Sequence, residues 1–467
     1  MPSVRNHSAF APAALDLIRS RIGRQASLLV LPFGLQQAIR LATNVVLARL
    51  LAPEMFGIML LINTLRTGTE LLSDIGIGQS VVRSAHANDR AFLDTAWTLQ
   101  LLRGILLTLL TLLLAAPIGA FYDNPQLALI VALVSSTFLL TGLQSPEIFL
   151  NQREMRLKPR AVFDLTSTVV QCALTIALAY IWPSVWALVW GLIISTFFTT
   201  GMSYMFGQFR LPRIRWQPEH VKEILHFGKW IFLSTAIYFA AITADKIYFT
   251  TVLPLALVGV YSVSRTFSDM LASLSQRVGA FLVFPKVAGL KDQRAEMAPR
   301  FRQLRRTALI LVAIAMAFSI AGSDGLILLL YDDRYHAAAF ILPMLLIGVW
   351  FAILAIFAEA TLIGLDRPQA SAIGNGVKFV VLALGLPLAV WQSGLFAALL
   401  VLALSEVARL IYLSLALRRE NLSAIRDDIA LTLLMFGGAV ALKILLGSTG
   451  VVPDLGEWWA LRVLLYG

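Results

Sequence analysis

The stretch LLVLPFGLQQAIRLATNVVLARL, Leu28 to Leu50, decides the fold class. It is long enough to cross a bilayer, which takes about 20 residues of helix. Gln36, Arg40 and Asn44 interrupt it at i, i+4 and i+8, and helical geometry sets all three on one face. A guanidinium in hydrocarbon is costly, so that face is expected to look into protein or a water-filled cavity. Pro32 predicts a kink one turn earlier. The stretch therefore reads as one wall of a polar cavity inside a polytopic transporter.

The rest of the chain has the same character. Of its 467 residues 58% are hydrophobic and only 14% charged, whereas soluble chains carry roughly 25% charged residues. So apolar a chain has no surface to offer water, and an all-α integral membrane protein follows. A transmembrane β-barrel is excluded because the apolar runs show no period-two alternation. The net charge of +11 would suggest nucleic acid in a soluble protein. Here positive-inside loops account for it, and no nucleic-acid partner is expected. Cys172 is the single cysteine, which rules out an intrachain disulfide or a cysteine-based metal site. His7, His86, His220, His226 and His336 are scattered without metal-ligand spacing, so no metal is expected. No Walker A motif occurs, and no catalytic constellation stands out, so the chain does not read as an enzyme.

Thirteen spans are predicted, at about 28–50, 57–82, 94–120, 126–150, 161–181, 184–206, 224–250, 257–285, 305–330, 337–363, 370–391, 394–417 and 428–447. The tail, with Trp458 and Trp459, is too short to cross and is expected at headgroup level. Lys and Arg fall almost entirely in one set of loops. Before the last span the other set holds Arg334 alone, so the N-terminus is expected on the cytoplasmic side. The basic loop at about 286–304 is expected to contact anionic lipid. The expected organisation is a lead-in at 1–24, a first lobe at 25–206, a linker at 207–223, a second lobe at 224–417 and a C-terminal addition at 418–467.

The two lobes carry a weak parallel repeat. Aligning Gly57 with Gly259, an offset of 202 residues, maps Gln36 onto Tyr238, Asn44 onto Lys246, Asn63 onto Arg265 and Asp74 onto Gln276. In the second span Asn63, Arg66, Glu70 and Asp74 share a face, with Arg66 and Glu70 spaced to pair. In the second lobe Tyr261, Arg265, Asp269 and Gln276 repeat that face. Asp245 and Lys246 sit deep in the seventh span, Glu359 in the tenth, and Glu406 with Arg409 in the twelfth. Aligned stripes on four helices point to a shared polar interior. Other charges read as structural: Arg49 as a snorkelling residue, Arg103, Arg305 and Arg306 as anchors. Asp164 and Lys378 could line a second groove or pair across helices, and Lys443 has no evident partner.

Four motifs carry a resemblance: Leu47–Gly57 at the end of the first span, Asp74-Ile-Gly76-Ile-Gly78, Asn151–Arg156 and Leu330–Tyr335. In order and spacing they resemble the Wzx-type lipid-linked oligosaccharide flippases, the polysaccharide exporter branch of the MOP superfamily. The resemblance implies two six-helix lobes around a central cavity that alternates between the two faces of the bacterial inner membrane. It implies a polyprenyl-pyrophosphate-linked oligosaccharide as substrate, membrane lipids as surroundings and polysaccharide polymerase machinery as a possible partner. On that reading Arg40, Arg66, Lys246 and Arg265 neutralise the pyrophosphate beside Gln36, Asn44 and Asn63, and Tyr238 and Tyr261 stack on sugars. Glu70, Asp74, Asp245, Asp269 and Glu359 balance those charges, form gates or bind a coupling H+ or Na+. A drug/cation antiporter of the same superfamily and a membrane enzyme acting on lipid-linked glycans stand as alternatives.

Overall fold

The computed structural model describes residues 21–465 apart from 85, 87, 88, 155, 208–210, 280–282, 284–286, 288–293, 366 and 451. The lead-in before Arg21 and much of the basic loop at 286–304 lie outside the described residues. Among the described residues every regular element is helical. The first half comprises α1 (Arg21–Leu50), α2 (Pro53–Leu71), α3 (Ile77–Arg83), α4 (Arg90–Phe121), α5 (Pro125–Val134), α6 (Ser136–Gly142), α7 (Ile148–Arg153), α8 (Leu157–Ile181) and α9 (Val185–Phe206). The second half comprises α10 (Pro218–Val252), α11 (Leu255–Val278), α12 (Arg294–Leu330), α13 (Ala338–Gly364) and α14 (Pro368–Arg419), followed by α15 (Ile425–Ser448) and α16 (Leu455–Ala460).

Among the described residues eight helices are long and apolar enough to cross a membrane, and α5–α6 counts among them as one. The polar stripes lie on α1, α2, α10 and α11. These four helices pack in part against one another, α11 on α2 above all. The 52 residues of α14 are two spans. Ser393 and Gly394 leave helical geometry, Gly394 with φ +64°, and a reversal follows. Lys378 Nζ meets Glu406 Oε1 at 2.5 Å across it. Only glycine adopts that φ without strain.

Two predicted spans are broken. The second stops at Leu71 and resumes at Ile77. Between them Gly76 takes φ +66°, and its N–H is received by Asp74 Oδ1 at 2.9 Å. Asp74 thus competes for the backbone and ends the helix. The fourth stops at Gly142 rather than about residue 150. Pro146 cannot donate to a continued ladder. The carbonyls freed at the break are taken instead by side chains: Gln100 donates to Thr141 O and Gln144 O, and Trp97 to Leu143 O at 3.3 Å.

The halves meet where the repeat said they are equivalent. A Cβ added at Gly57 would overlap Leu255 O and stand 3.1 Å from Leu255 C. One added at Gly259 would overlap Pro53 O and stand 2.6 Å from Pro53 C. The offset of 202 that carries Gly57 to Gly259 also carries Pro53 to Leu255. Each glycine therefore packs on the backbone of the residue equivalent to its partner's contact, as a two-fold crossing of α2 and α11 requires.

A second set of contacts clasps the same end. Tyr331 donates to Asn44 Oδ1 at 2.8 Å, Tyr335 to Leu51 O at 3.2 Å and Arg334 to Ala48 O at 3.2 Å. In return Arg49 donates to Leu330 O at 3.3 Å. Arg49, exposed at the end of its helix, donates to the last carbonyl of α12, and Arg334 donates to Ala48 O in the last turn of α1. At the opposite end α1 and α11 touch through Gln37 and Ser273 at 3.1 Å, and Arg277 lies over the Phe33 ring at 3.8 Å.

α15 is held to α12 by two buried ion pairs. Arg305 meets Asp428 at 2.6 Å, and Lys443 meets Asp324. Lys443 therefore has a partner, and Arg305 is a buried tie rather than an interfacial anchor. The tail aromatics pack on protein: Trp458 stacks on Phe340, centroids 5.0 Å apart, and Trp459 lies edge-on to Phe396 at 5.7 Å.

Candidate functional site

The second half encloses a cavity of about 250 Å³ lined by α10, α11, α13 and α14. Its walls carry four cations: Lys246, Arg265, Lys378 and Arg409. The stripe on α11 puts Arg265 and Asp269 one turn apart, and α10 brings Asp245 and Lys246 opposite them. Arg265 Nε lies 3.4 Å from Asp245 Oδ2 and 3.3 Å from Asp269 Oδ1, and Lys246 Nζ donates to Asp269 Oδ2 at 2.9 Å. On the facing wall Lys378 pairs with Glu406, and Arg409 bridges Glu406 at 3.5 Å and Glu359. Ser371 donates to Glu359 from behind.

Four cations thus answer four carboxylates. Pairing makes so many buried charges tolerable. The match is not complete. The Nε–H groups of Arg265 and Arg409 are buried and lack a hydrogen-bond acceptor among the described residues. Buried donors of this kind are uncommon, and those of Arg66 and Arg305, outside this cavity, share the condition.

Several predicted residues come together here. Lys246, Arg265, Asp245, Asp269 and Tyr238 line the cavity, and Glu359 supports it. Tyr261 does not line it. It is fully buried, donates to Asp245 and lies edge-on to Phe249 at 4.9 Å. In this conformation it buttresses Asp245 and offers no open face to a sugar, so the stacking role is corrected. Lys378, Glu406 and Arg409 complete the site: from sequence Glu406 and Arg409 read as part of the polar interior and Lys378 as a groove or pairing residue, but none as substrate-binding. Lys378 and Arg409 stand on the two arms of the α14 reversal, and only that reversal brings them together.

The first half departs from the expected symmetry. Glu70 and Asp74 line a separate cavity of about 610 Å³ with Arg103, Gln100, Gln144 and Gln152. Arg103, expected to be an interfacial anchor, donates to Glu70 O at 2.5 Å and Ser73 Oγ. Gln36, Arg40, Asn44, Asn63 and Arg66 line neither cavity. Asn44 serves the clasp with Tyr331. Arg66 pairs with Glu70 at 3.9 Å. Arg40 and Asn63 are exposed. The positions equivalent to Asp245, Lys246, Arg265 and Asp269 are Thr43, Asn44, Asn63 and Thr67, so the ionic cluster belongs to one repeat only.

Outside the spans, Asp332 accepts hydrogen bonds from Arg334, at 3.1 Å to Nε. These bonds hold its carboxyl below the ordinary carboxylate range.

Comparison with known proteins agrees with this architecture. Lipid II flippase MurJ in an inward closed conformation superposes with a TM-score of 0.74 at 12% identity, covering 93% of this chain and 95% of that one. An inward-facing multidrug resistance MATE family transporter of the MOP superfamily gives 0.62 at 14% identity, covering 87% and 95%. These likenesses establish the MOP-type fold. In sequence, lipopolysaccharide biosynthesis protein WzxC of Escherichia coli (strain K12) is 20% identical over 321 residues, 68% of this chain. The chain spans 64% of that relative's length. A family model described as polysaccharide biosynthesis protein matches residues 46–340, more than half of the chain, and the protein belongs to that family.

Proposed function

We propose that the protein flips polyprenyl-pyrophosphate-linked oligosaccharide units from the cytoplasmic to the periplasmic leaflet of the inner membrane by alternating access. The observation that carries this reading is the cavity of Lys246, Arg265, Lys378 and Arg409, four cations gathered inside an apolar bundle. A pyrophosphate presents oxygens that two guanidinium groups and two ammonium groups bind strongly, and the low dielectric magnifies the attraction. Family membership supports the substrate class.

Binding is an exchange of partners. Phosphate oxygens displace Asp245, Asp269, Glu406 and Glu359 from the cations, and the released carboxylates take up a proton or sodium ion. The lipid chain needs no polar cover and stays among the apolar helices, while glycan lies along Tyr238, Gln276 and Asn375. The α2–α11 crossing and the Tyr331–Tyr335 clasp are the contacts that part when that end opens.

The test is native mass spectrometry of protein extracted from cells making the polymer. The parent is compared with Arg265→Gln/Asp269→Asn, which removes one cation and one carboxylate together. A co-purifying polyprenyl-pyrophosphate glycan, lost in the variant, is the expected result. A glycan retained by the variant overturns the site. A parent that never carries such a lipid overturns the substrate class and moves organic cations forward as ligands.

A further inference from the structure

We propose that His86, His220 and Glu223 form a binding site for a divalent transition-metal ion of the zinc type, bridging the two halves at the end opposite the Gly57–Gly259 crossing. The histidines are 134 positions apart in sequence, which is why spacing alone gives no sign of a site. The fold brings together the α3–α4 connection, which carries His86, and the first turns of α10, which carry His220 and Glu223. One potential ligand atom from each lies within 4.8 Å of the others. His86 Nδ1 stands 3.5 Å from Glu223 Oε2. The two imidazole centroids are 5.5 Å apart.

The donor set suits the ion. Two imidazoles and one carboxylate are a recurrent zinc set that leaves a further position open. His220 and Glu223 are spaced i, i+3 and share a face of α10. Bonds of about 2.0–2.2 Å would draw the three donors to roughly 3.5 Å of one another. That contraction falls on exposed His86 and Glu223 rather than on the core. His220 is already oriented, buried edge-on against Phe92 at 5.3 Å. Asp89 Oδ2 stands 3.8 Å from His220 Nε2. Its other oxygen caps α4 through Ala91 N at 3.0 Å, which fixes the carboxylate in place. At that distance Asp89 adds negative charge beside the imidazole without a hydrogen bond to it. With Asp89 and Glu223 both ionised, the cluster neutralises a doubly charged ion.

The site joins an element of the first half to the helix that opens the second. An ion held there favours the arrangement in which those elements touch, so metal binding stabilises this conformation by linkage. The proposal stands apart from the transport reading, because it concerns none of the cavity residues.

The experiment is equilibrium dialysis of chelator-stripped, tag-free, full-length protein in detergent, with zinc as the added metal. One zinc per chain is expected, with a higher thermal midpoint in its presence. His86→Ala, at an exposed position, is expected to weaken binding by well over an order of magnitude and to abolish the thermal shift. Asp89→Asn keeps the helix cap but removes that residue's charge, and is expected to weaken binding less than His86→Ala does. If His86→Ala and Glu223→Gln bind zinc as tightly as the parent, the site is wrong.

Discussion

Replacing Gly259 by alanine tests whether the α2–α11 crossing holds one end of the molecule shut. The new Cβ would overlap Pro53 O and stand 2.6 Å from Pro53 C and 3.1 Å from Pro53 Cα. Carbon atoms in ordinary contact are about 3.5–4.0 Å apart, so the helices must separate by about 1 Å there. Overpacking of this size costs about 1–3 kcal/mol. The strain exists only while the helices cross here, so the equilibrium shifts toward the parted arrangement, by up to about a hundredfold at 1.4 kcal/mol per decade. Gly57→Ala acts in the same direction but less, because its Cβ meets Leu255 C at 3.1 Å. The two changes strain one crossing and should not add. The readout is a pulsed electron resonance distance between spin labels at Glu54→Cys and Thr251→Cys, both exposed near that end, with Cys172 replaced by alanine. Short distances should dominate the parent and lose weight in Gly259→Ala. Gly376→Ala is the control, since its Cβ enters open space. An unchanged distance distribution and thermal midpoint in Gly259→Ala would refute the reasoning.

Asp324→Ala should lower stability by about 3–5 kcal/mol by leaving Lys443 charged and unpaired. Asp324→Leu/Lys443→Met should recover most of the loss, because an apolar pair avoids desolvation altogether; thermal midpoints in detergent decide it. Tyr261→Phe should cost about 1–3 kcal/mol, since Asp245 loses a buried donor, while a change within experimental error would deny the tyrosine its buttressing role. Asp332 supplies the pH dependence. Its folded pKa is depressed by Arg334, so its contribution to the clasp is present above about pH 4 and fades as pH falls through the folded value. The Glu54–Thr251 label distance should therefore hold constant from neutrality to mild acid and lengthen only below, with Asp332→Asn abolishing the acid response. The carboxylate is largely exposed, so salt should weaken the effect.

The spans were legible because hydrocarbon leaves an apolar run few options. Even the α14 reversal falls at the gap between the spans placed at 370–391 and 394–417. The two missed breaks share a cause. Side-chain competition by Asp74, and carbonyl capture by Gln100 and Trp97 from α4, are local and long-range bonds that apolarity does not register. The repeat was readable through Gly57 and Gly259, but their meeting was not, since an offset says what is equivalent and not what touches. In the site, Arg265, Lys246, Asp245 and Asp269 were readable because they sit on helices whose polarity is otherwise hard to justify. Lys378 was not, because it stands nearly alone on an apolar arm, and Arg409 was read only as part of a polar interior because its link to Lys378 runs through Glu406 across the reversal. The symmetric expectation for Arg40 and Arg66 failed because repeat symmetry preserves backbone positions and places no constraint on which copy keeps its charges.

The ties between α12 and α15 bear on how the chain is made. A lone charge at the centre of a membrane helix raises its insertion free energy by about 2.5–3.5 kcal/mol, and by less toward the ends. Asp324 emerges from the ribosome 119 residues before Lys443, and Arg305 emerges 123 residues before Asp428. Throughout that interval α12 carries two charges whose mates do not yet exist. Truncation before Ile425 should then yield a chain that inserts poorly at α12, so the last long helix governs the biogenesis of one made more than a hundred residues earlier.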